Sequence, residues 1–195
     1  MSIKMQGSGV KGQGSGKNLK LRTSNSELIF ILGGARSGKS SFALRLAESI
    51  GSRNIYIATA EALDEEMAER IKRHKENRGK DWQVIEAPIN ITGKLAGLKR
   101  KGDVILIDCL TLWVNNQMEK MADKKILKET GSLLKAVKAI NKNIIIVSNE
   151  VGLGIVPDNP LARRFRDIAG MVNQKIAEAA DEVYLMVSGI PVRVK

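Results

Sequence analysis

Leu28-Ile29-Phe30-Ile31-Leu32-Gly33-Gly34-Ala35-Arg36-Ser37-Gly38-Lys39-Ser40 is the stretch from which the rest of the chain can be read. Its opening apolar run fits a strand buried on both faces, as in a parallel sheet. Residues 33–40 then match the pattern G-x-x-x-x-G-K-[ST] at every fixed position. Behind them, Phe42, Ala43, Leu46, Ala47 and Ile50 recur at helical spacing over Lys39–Ile50. Strand, glycine-rich turn and amphipathic helix, in that order, are the context a phosphate-binding loop requires. Glycines let backbone N–H groups turn inward around phosphate oxygens. In that reading Lys39 reaches the β- and γ-phosphates and the Ser40 hydroxyl ligates Mg²⁺. The candidate nucleotide residues here are Gly33, Gly34, Ala35, Arg36, Ser37, Gly38, Lys39 and Ser40.

Outward from this stretch the chain alternates between short apolar runs and helical patterns. Strands are expected at Leu28–Leu32, Asn54–Ala58, 82–86, 103–108 and 143–148. Helices are expected over 62–78, where Leu63, Met67 and Ile71 are spaced by four, and over 124–142. A further helix begins near Thr111. Asn159 followed by Pro160 predicts an N-cap and first helical position. Leu161, Phe165, Ile168, Val172, Ile176 and Ala180 would form the inner face of that helix. Glu182–Val187 and residues 192–195, joined by a short link, predict an antiparallel hairpin at the sheet edge. The whole predicts an α/β fold with a mostly parallel sheet and helices on both faces.

Composition narrows the chemistry. With one Cys and one His in 195 residues, an internal disulfide framework, a zinc cluster and the H-E-x-x-H motif are excluded. No apolar run approaches the ~20 residues of a membrane span, and a cytoplasmic protein without a membrane span is expected. The net charge is +11, and five of those charges fall in residues 1–26, which hold no acid. That Gly/Ser-rich segment predicts a disordered basic arm, leaving 27–195 as a single nucleotide-binding domain. Aromatics make up only 4%, too few for a base-stacking platform, so nucleic acid is not expected as a partner.

Two further residues attract chemistry. Asp108 ends the strongest apolar strand, where a carboxylate can hold Mg²⁺ opposite Ser40 as a Walker B acid does. Its competing reading is an N-cap for the next helix. Cys109 beside it reads as a packed apolar side chain. His74, the only histidine, shares a helix face with Arg70 and Arg78. Nearby cations keep an imidazole neutral, hence nucleophilic, and can hold the phosphate that it attacks. A solvated helix histidine fits the same spacing. The loop over 150–160 reads as a substrate loop or a long connector, and Arg163, Arg164 and Arg166 as a solvated helix face.

Residues 33–40 as G-G-A-R-S-G-K-S resemble the opening of the bifunctional adenosylcobinamide kinase/adenosylcobinamide-phosphate guanylyltransferases. So do Tyr56-Ile57-Ala58-Thr59-Ala60, Asp64-Glu65-Glu66-Met67, Arg70-Ile71 with His74-Lys75, Arg78 and Trp82, and Asp108-Cys109-Leu110-Thr111. The segment Asn149-Glu150-Val151-Gly152-Leu153-Gly154-Ile155-Val156-Pro157 is similar as well, as is Phe165-Arg166-Asp167-Ile168-Ala169-Gly170 with Asn173-Gln174. The resemblance implies a recombinase-like P-loop fold, a homotrimer and two reactions. The first phosphorylates the aminopropanol hydroxyl of adenosylcobinamide with ATP or GTP. The second transfers GMP from GTP to that phosphate, releasing pyrophosphate. It further implies that His74 carries GMP, and that nucleotide contacts extend to Ala58, Thr59, Ala60, Lys75, Glu76, Asn77, Arg78, Glu86 and Asp108. The competing readings are a single-activity P-loop small-molecule kinase and a nucleic-acid-binding P-loop ATPase.

Overall fold

In the computed structural model, which describes residues 26–62, 64–76, 78–79, 81–98 and 102–195, strands and helices alternate as their apolar spacing requires. Strand β1 (Leu28–Gly33) leads through the glycine loop into α1 (Lys39–Ile50), then β2 (Asn54–Ala58), α2 (Glu65–Glu76), β3 (Gln83–Glu86) and α3 (Ile91–Ala96). After them come β4 (Val104–Asp108), α4 (Leu110–Met118), α5 (Asp123–Ile140), β5 (Asn143–Asn149), α6 (Pro160–Ala179), β6 (Glu182–Val187) and β7 (Ile190–Arg193).

The strands form one sheet in the order β3-β2-β4-β5-β1-β6-β7, parallel throughout except for the final β6–β7 pair. Alternation along β1 divides its side chains between two cores. Leu28 and Phe30 face α3, α4, α5 and α6, together with Ile91, Trp113, Leu133 and Ile168. Ile29 and Ile31 face α1, together with Ala43, Leu46, Leu106 and Val147. Both faces of the central strands are therefore dry, which explains their unbroken apolar runs.

Helix α2 starts three residues later than its apolar spacing suggests, because the Asp64 carboxylate accepts from Met67 N at 2.7 Å and caps it there. Helix α5 ends at Asn141, whose φ of 51° closes it in the left-handed region. Helix α3 gave no readable period, since only Ile91 and Leu95 of its six residues are buried. In the hairpin, the turn is tighter than the expected link: Ser188 and Gly189 both have positive φ, so β7 begins already at Ile190. Leu161 does not join the inner face of α6; it lies in the first turn, before the helix meets the core, and is 61% exposed. Nor are Arg163 and Arg164 merely solvated. Arg163 donates to the carbonyls of Pro157 and Asp158, and Arg164 pairs with Asp123 at the start of α5.

Because the sheet is parallel, the ends of β1, β2, β4 and β5 open on one edge. Gly33 lies opposite Asn149, and Asp108 opposite Ala58 and Val147.

Candidate active site

The glycine loop is built from two backbone positions that no larger residue can occupy. Gly33 has φ 156°, and a Cβ there would meet Ser37 Oγ at 2.6 Å and the Met186 carbonyl at 2.9 Å. Gly38 has φ 89°, and its Cβ would press on Gly189 Cα at 3.2 Å. The loop is thus wedged against the β6–β7 turn, and Gly189 N donates to the Ser37 carbonyl at 3.0 Å. On its other side Glu150 N donates to the Gly33 carbonyl at 3.0 Å. Helix α1 starts at Gly38 with no side-chain cap and no acid in its first turn. Its first N–H groups and the positive end of its dipole therefore face the loop, an arrangement suited to anions. Lys39 is buried and folds back to donate to the Gly34 carbonyl and, at 3.4 Å, to Ser37 Oγ.

Asp108 closes β4 on the face that α1 covers, since Val104 and Leu106 of the same alternation pack in the α1 core. Cys109, not Asp108, holds the N-cap position of α4, and it is buried in the α1 core. The Asp108 carboxylate instead accepts from the Tyr56 hydroxyl, at 2.9 Å on Oδ2. Among the described residues Oδ1 has no hydrogen-bond partner. Burial, and then Asp108, push the Tyr56 phenol far above its usual pKa, with Arg78 opposing in part. It remains a donor throughout the physiological range.

The other expected contacts divide. Thr59 is fully buried, and its hydroxyl donates to the Cys109 carbonyl at 2.7 Å and accepts from Cys109 N at 2.8 Å. Its backbone is engaged too, with Asp108 O and Asn116 Nδ2. Thr59 therefore clamps the end of β2 to the end of β4. Ala58 accepts from Ala87 N through its carbonyl, and Ala60 is half-buried at the same edge. Lys75, Arg78 and Glu86 come together in an open cleft of about 480 Å³, lined also by Gly79, Trp82 and Val84. Glu76, at the end of α2, is exposed and is not among the lining residues of that cleft. The cleft lies on β3, four strands from β1, about 19 Å at the usual spacing. His74 lies in the last turn of α2; its side chain and that of Arg70 lie outside the described residues, as does Asn77.

A family model described as cobinamide kinase / cobinamide phosphate guanyltransferase matches residues 29–194. The chain belongs to that family. The enzyme is 42% identical over 165 residues to the bifunctional adenosylcobalamin biosynthesis protein CobP of Pseudomonas aeruginosa, covering 85% of this chain and 95% of the relative. It is 40% identical over 181 residues to the bifunctional protein CobU of Salmonella typhimurium, covering 86% and 99%. Its activities are those of the family, cobinamide kinase and cobinamide phosphate guanyltransferase, and not those of a single-activity kinase or a nucleic-acid ATPase. In fold it is similar to the flagellar accessory protein FlaH from Methanocaldococcus jannaschii, with TM-score 0.50 and 18% identity over 88% of this chain and 79% of that one. The P-loop sheet and closing hairpin are as expected from the sequence. Among the described residues no helix is long and apolar enough to cross a membrane.

Sequence reasoning passed over several residues that shape the site. In the sequence Tyr56 and Trp82 stand out only as members of expected strands and of the family motifs. Thr111, Ser148 and Asn173 form a buried network: Asn149 N donates to Thr111 Oγ1 at 2.6 Å, Thr111 to Ser148, and Ser148 to Asn173 Oδ1 at 2.8 Å. Asn173 Nδ2 returns to the Asn149 carbonyl at 3.1 Å. The available signal was a polar residue interrupting an apolar stripe, as Asn173 does between Val172 and Ile176.

Proposed function

We propose that the enzyme phosphorylates adenosylcobinamide and then guanylylates the phosphate through a covalent intermediate on His74. What carries this reading is the family membership, joined to an intact phosphate loop on an uncapped helix N-terminus. In the first step the loop N–H groups and Lys39 hold the β- and γ-phosphates of ATP or GTP while the aminopropanol hydroxyl attacks the γ-phosphorus.

Ser40 and Asp108 are hard oxygen donors on the α1 side of the sheet edge. A hydroxyl, a carboxylate with one oxygen unclaimed among the described residues, and substrate phosphates fit the sparse protein ligation Mg²⁺ favours. When bound there, Mg²⁺ supplies neutralising charge to the phosphate oxygens. Tyr56 keeps the Asp108 carboxylate turned.

In the second step a neutral His74 nitrogen attacks the α-phosphorus of GTP. A P–N bond forms, the bond to pyrophosphate breaks, and Lys75 and Arg78, at the same end of α2, hold the transferring phosphate. An oxygen of cobinamide phosphate then displaces the imidazole, giving adenosylcobinamide-GDP and freeing His74. We further propose a cytoplasmic homotrimer, with residues 1–26 outside the catalytic domain; sedimentation equilibrium checks the assembly.

Incubation with α-labelled GTP followed by a denaturing gel tests the covalent step. The wild type should carry a label that is acid-labile and base-stable. His74→Ala and His74→Asn should lose it, together with exchange of labelled pyrophosphate into GTP, while still phosphorylating cobinamide. A label that survives either substitution places the nucleophile elsewhere. Guanylyl transfer without any label means direct in-line displacement.

A further inference from the structure

Tyr56 touches residues of both the phosphate-loop edge and the β3 cleft. From β2 its hydroxyl donates to Asp108 Oδ2 at 2.9 Å. Its ring face carries the Arg78 guanidinium, 3.8 Å from the centroid. Its edge meets Trp82 at 6.2 Å between centroids and 80° between planes, and Trp82 Nε1 is tied to Glu48 of α1 at 3.2 Å. Only 5% of Tyr56 is exposed. The buried ring is therefore held at its hydroxyl, at one face and at its edge, and it restrains the two groups that it touches.

We infer that Tyr56 is a positioning residue whose two ends set Asp108 for metal and Arg78 for nucleotide phosphate, so that one side chain aligns both parts of the site. This rests on the roles of Asp108 and Arg78 proposed above. A carboxylate that accepts from a buried phenol has one oxygen fixed and the other presented in a defined direction, as partners of metal-ligating carboxylates generally ensure. A guanidinium stacked on an aromatic face at this distance keeps its planar fork oriented while its N–H groups remain free to donate in plane. An aliphatic residue in its place has neither the hydroxyl nor the ring face and would do neither.

The two ends can be separated. Tyr56→Phe keeps the ring and removes the hydroxyl; Tyr56→Leu removes both contacts. GTP binding is measured by calorimetry in EDTA, and Mn²⁺ binding to the enzyme–GTP complex by electron paramagnetic resonance. Tyr56→Phe should leave metal-free GTP affinity within about twofold of wild type while weakening Mn²⁺ binding about tenfold. Tyr56→Leu should weaken both, with metal-free GTP affinity down about fivefold, and should add little to an Arg78→Ala background. Unchanged Mn²⁺ affinity in Tyr56→Phe, or unchanged GTP affinity in a folded Tyr56→Leu, overturns the inference. Should Tyr56→Leu not fold, Tyr56→Phe decides it through the metal. Asp108→Asn and Arg78→Ala serve as references. If they alter neither affinity, the assignment of those residues fails and this inference with it. If they do and the Tyr56 variants do not, the role of Tyr56 alone is refuted.

Discussion

Lys39 is held inside its own loop by the Gly34 carbonyl and Ser37 Oγ, so its ammonium is already desolvated where phosphate oxygens would arrive. A preorganised charge in that position acts on the transferring phosphoryl without reorganising at the moment of reaction. Lys39→Ala should therefore lower cobinamide phosphorylation on the order of 10²-fold or more in kcat/KM, measured with saturating Mg²⁺. Near-normal turnover would show that the lysine only braces the loop. The same residue scale explains why the site tolerates no side chain at Gly33: the space belongs to Ser37 and to the Met186 backbone of a strand far away in sequence.

At the scale of elements, polar pins hold neighbouring strand and helix ends together. The Thr111–Ser148–Asn173 network joins α4, β5 and α6 and fixes Asn149, whose successor Glu150 is bonded to Gly33. Thr111→Val keeps the shape but leaves Asn149 N without its acceptor. It should cost about 1–3 kcal/mol in urea unfolding, whereas Thr111→Ser should cost less than half of that. Equal losses in the two variants would trace the effect to packing of the methyl group. At the opposite end of the sheet, Arg53 and Asp103 pair at 2.6 Å and hold the start of β2 to that of β4. Hydrogen bonds from Arg53 hold the Asp103 carboxyl below its usual range. Its stabilisation is thus fully present above the unfolded value near pH 4 and is lost as pH falls through the lower folded value. Asp103→Asn should unfold slightly earlier than the parent at pH 7, with the gap closing below about pH 4. The gap stays small because Arg53 is largely exposed. A gap that persists unchanged to pH 2.5–3 would exclude the charge as its source.

At the scale of the whole molecule, the Ser26 hydroxyl, at the start of the described residues, donates to Asn141 Oδ1 at an exposed site. The family match starts at residue 29. Deleting residues 1–26 should leave the thermal midpoint and both activities nearly unchanged, because the segment has no composition for packing. A midpoint lowered by more than ~4 °C, the shift expected for about 1 kcal/mol, would show that the segment docks on the domain.

The strand–loop–helix unit and the mostly parallel sheet were legible in the amino-acid order alone. These rest on local order: an apolar run long enough for one strand, glycines at fixed spacing, and a helical period directly behind them. The capping pair Asn159-Pro160 and the closing hairpin were legible for the same reason. Only the tertiary structure decided that β4 and β5 lie between β1 and β2, which brings Asp108 to the α1 face with the loop. It alone turned Tyr56 from one residue of an apolar strand into the contact between Asp108 and Arg78, and buried Thr59 in a clamp. Such contacts join residues some 20 to 50 positions apart. They depend on strand order and on which face each side chain takes, and no local period records either.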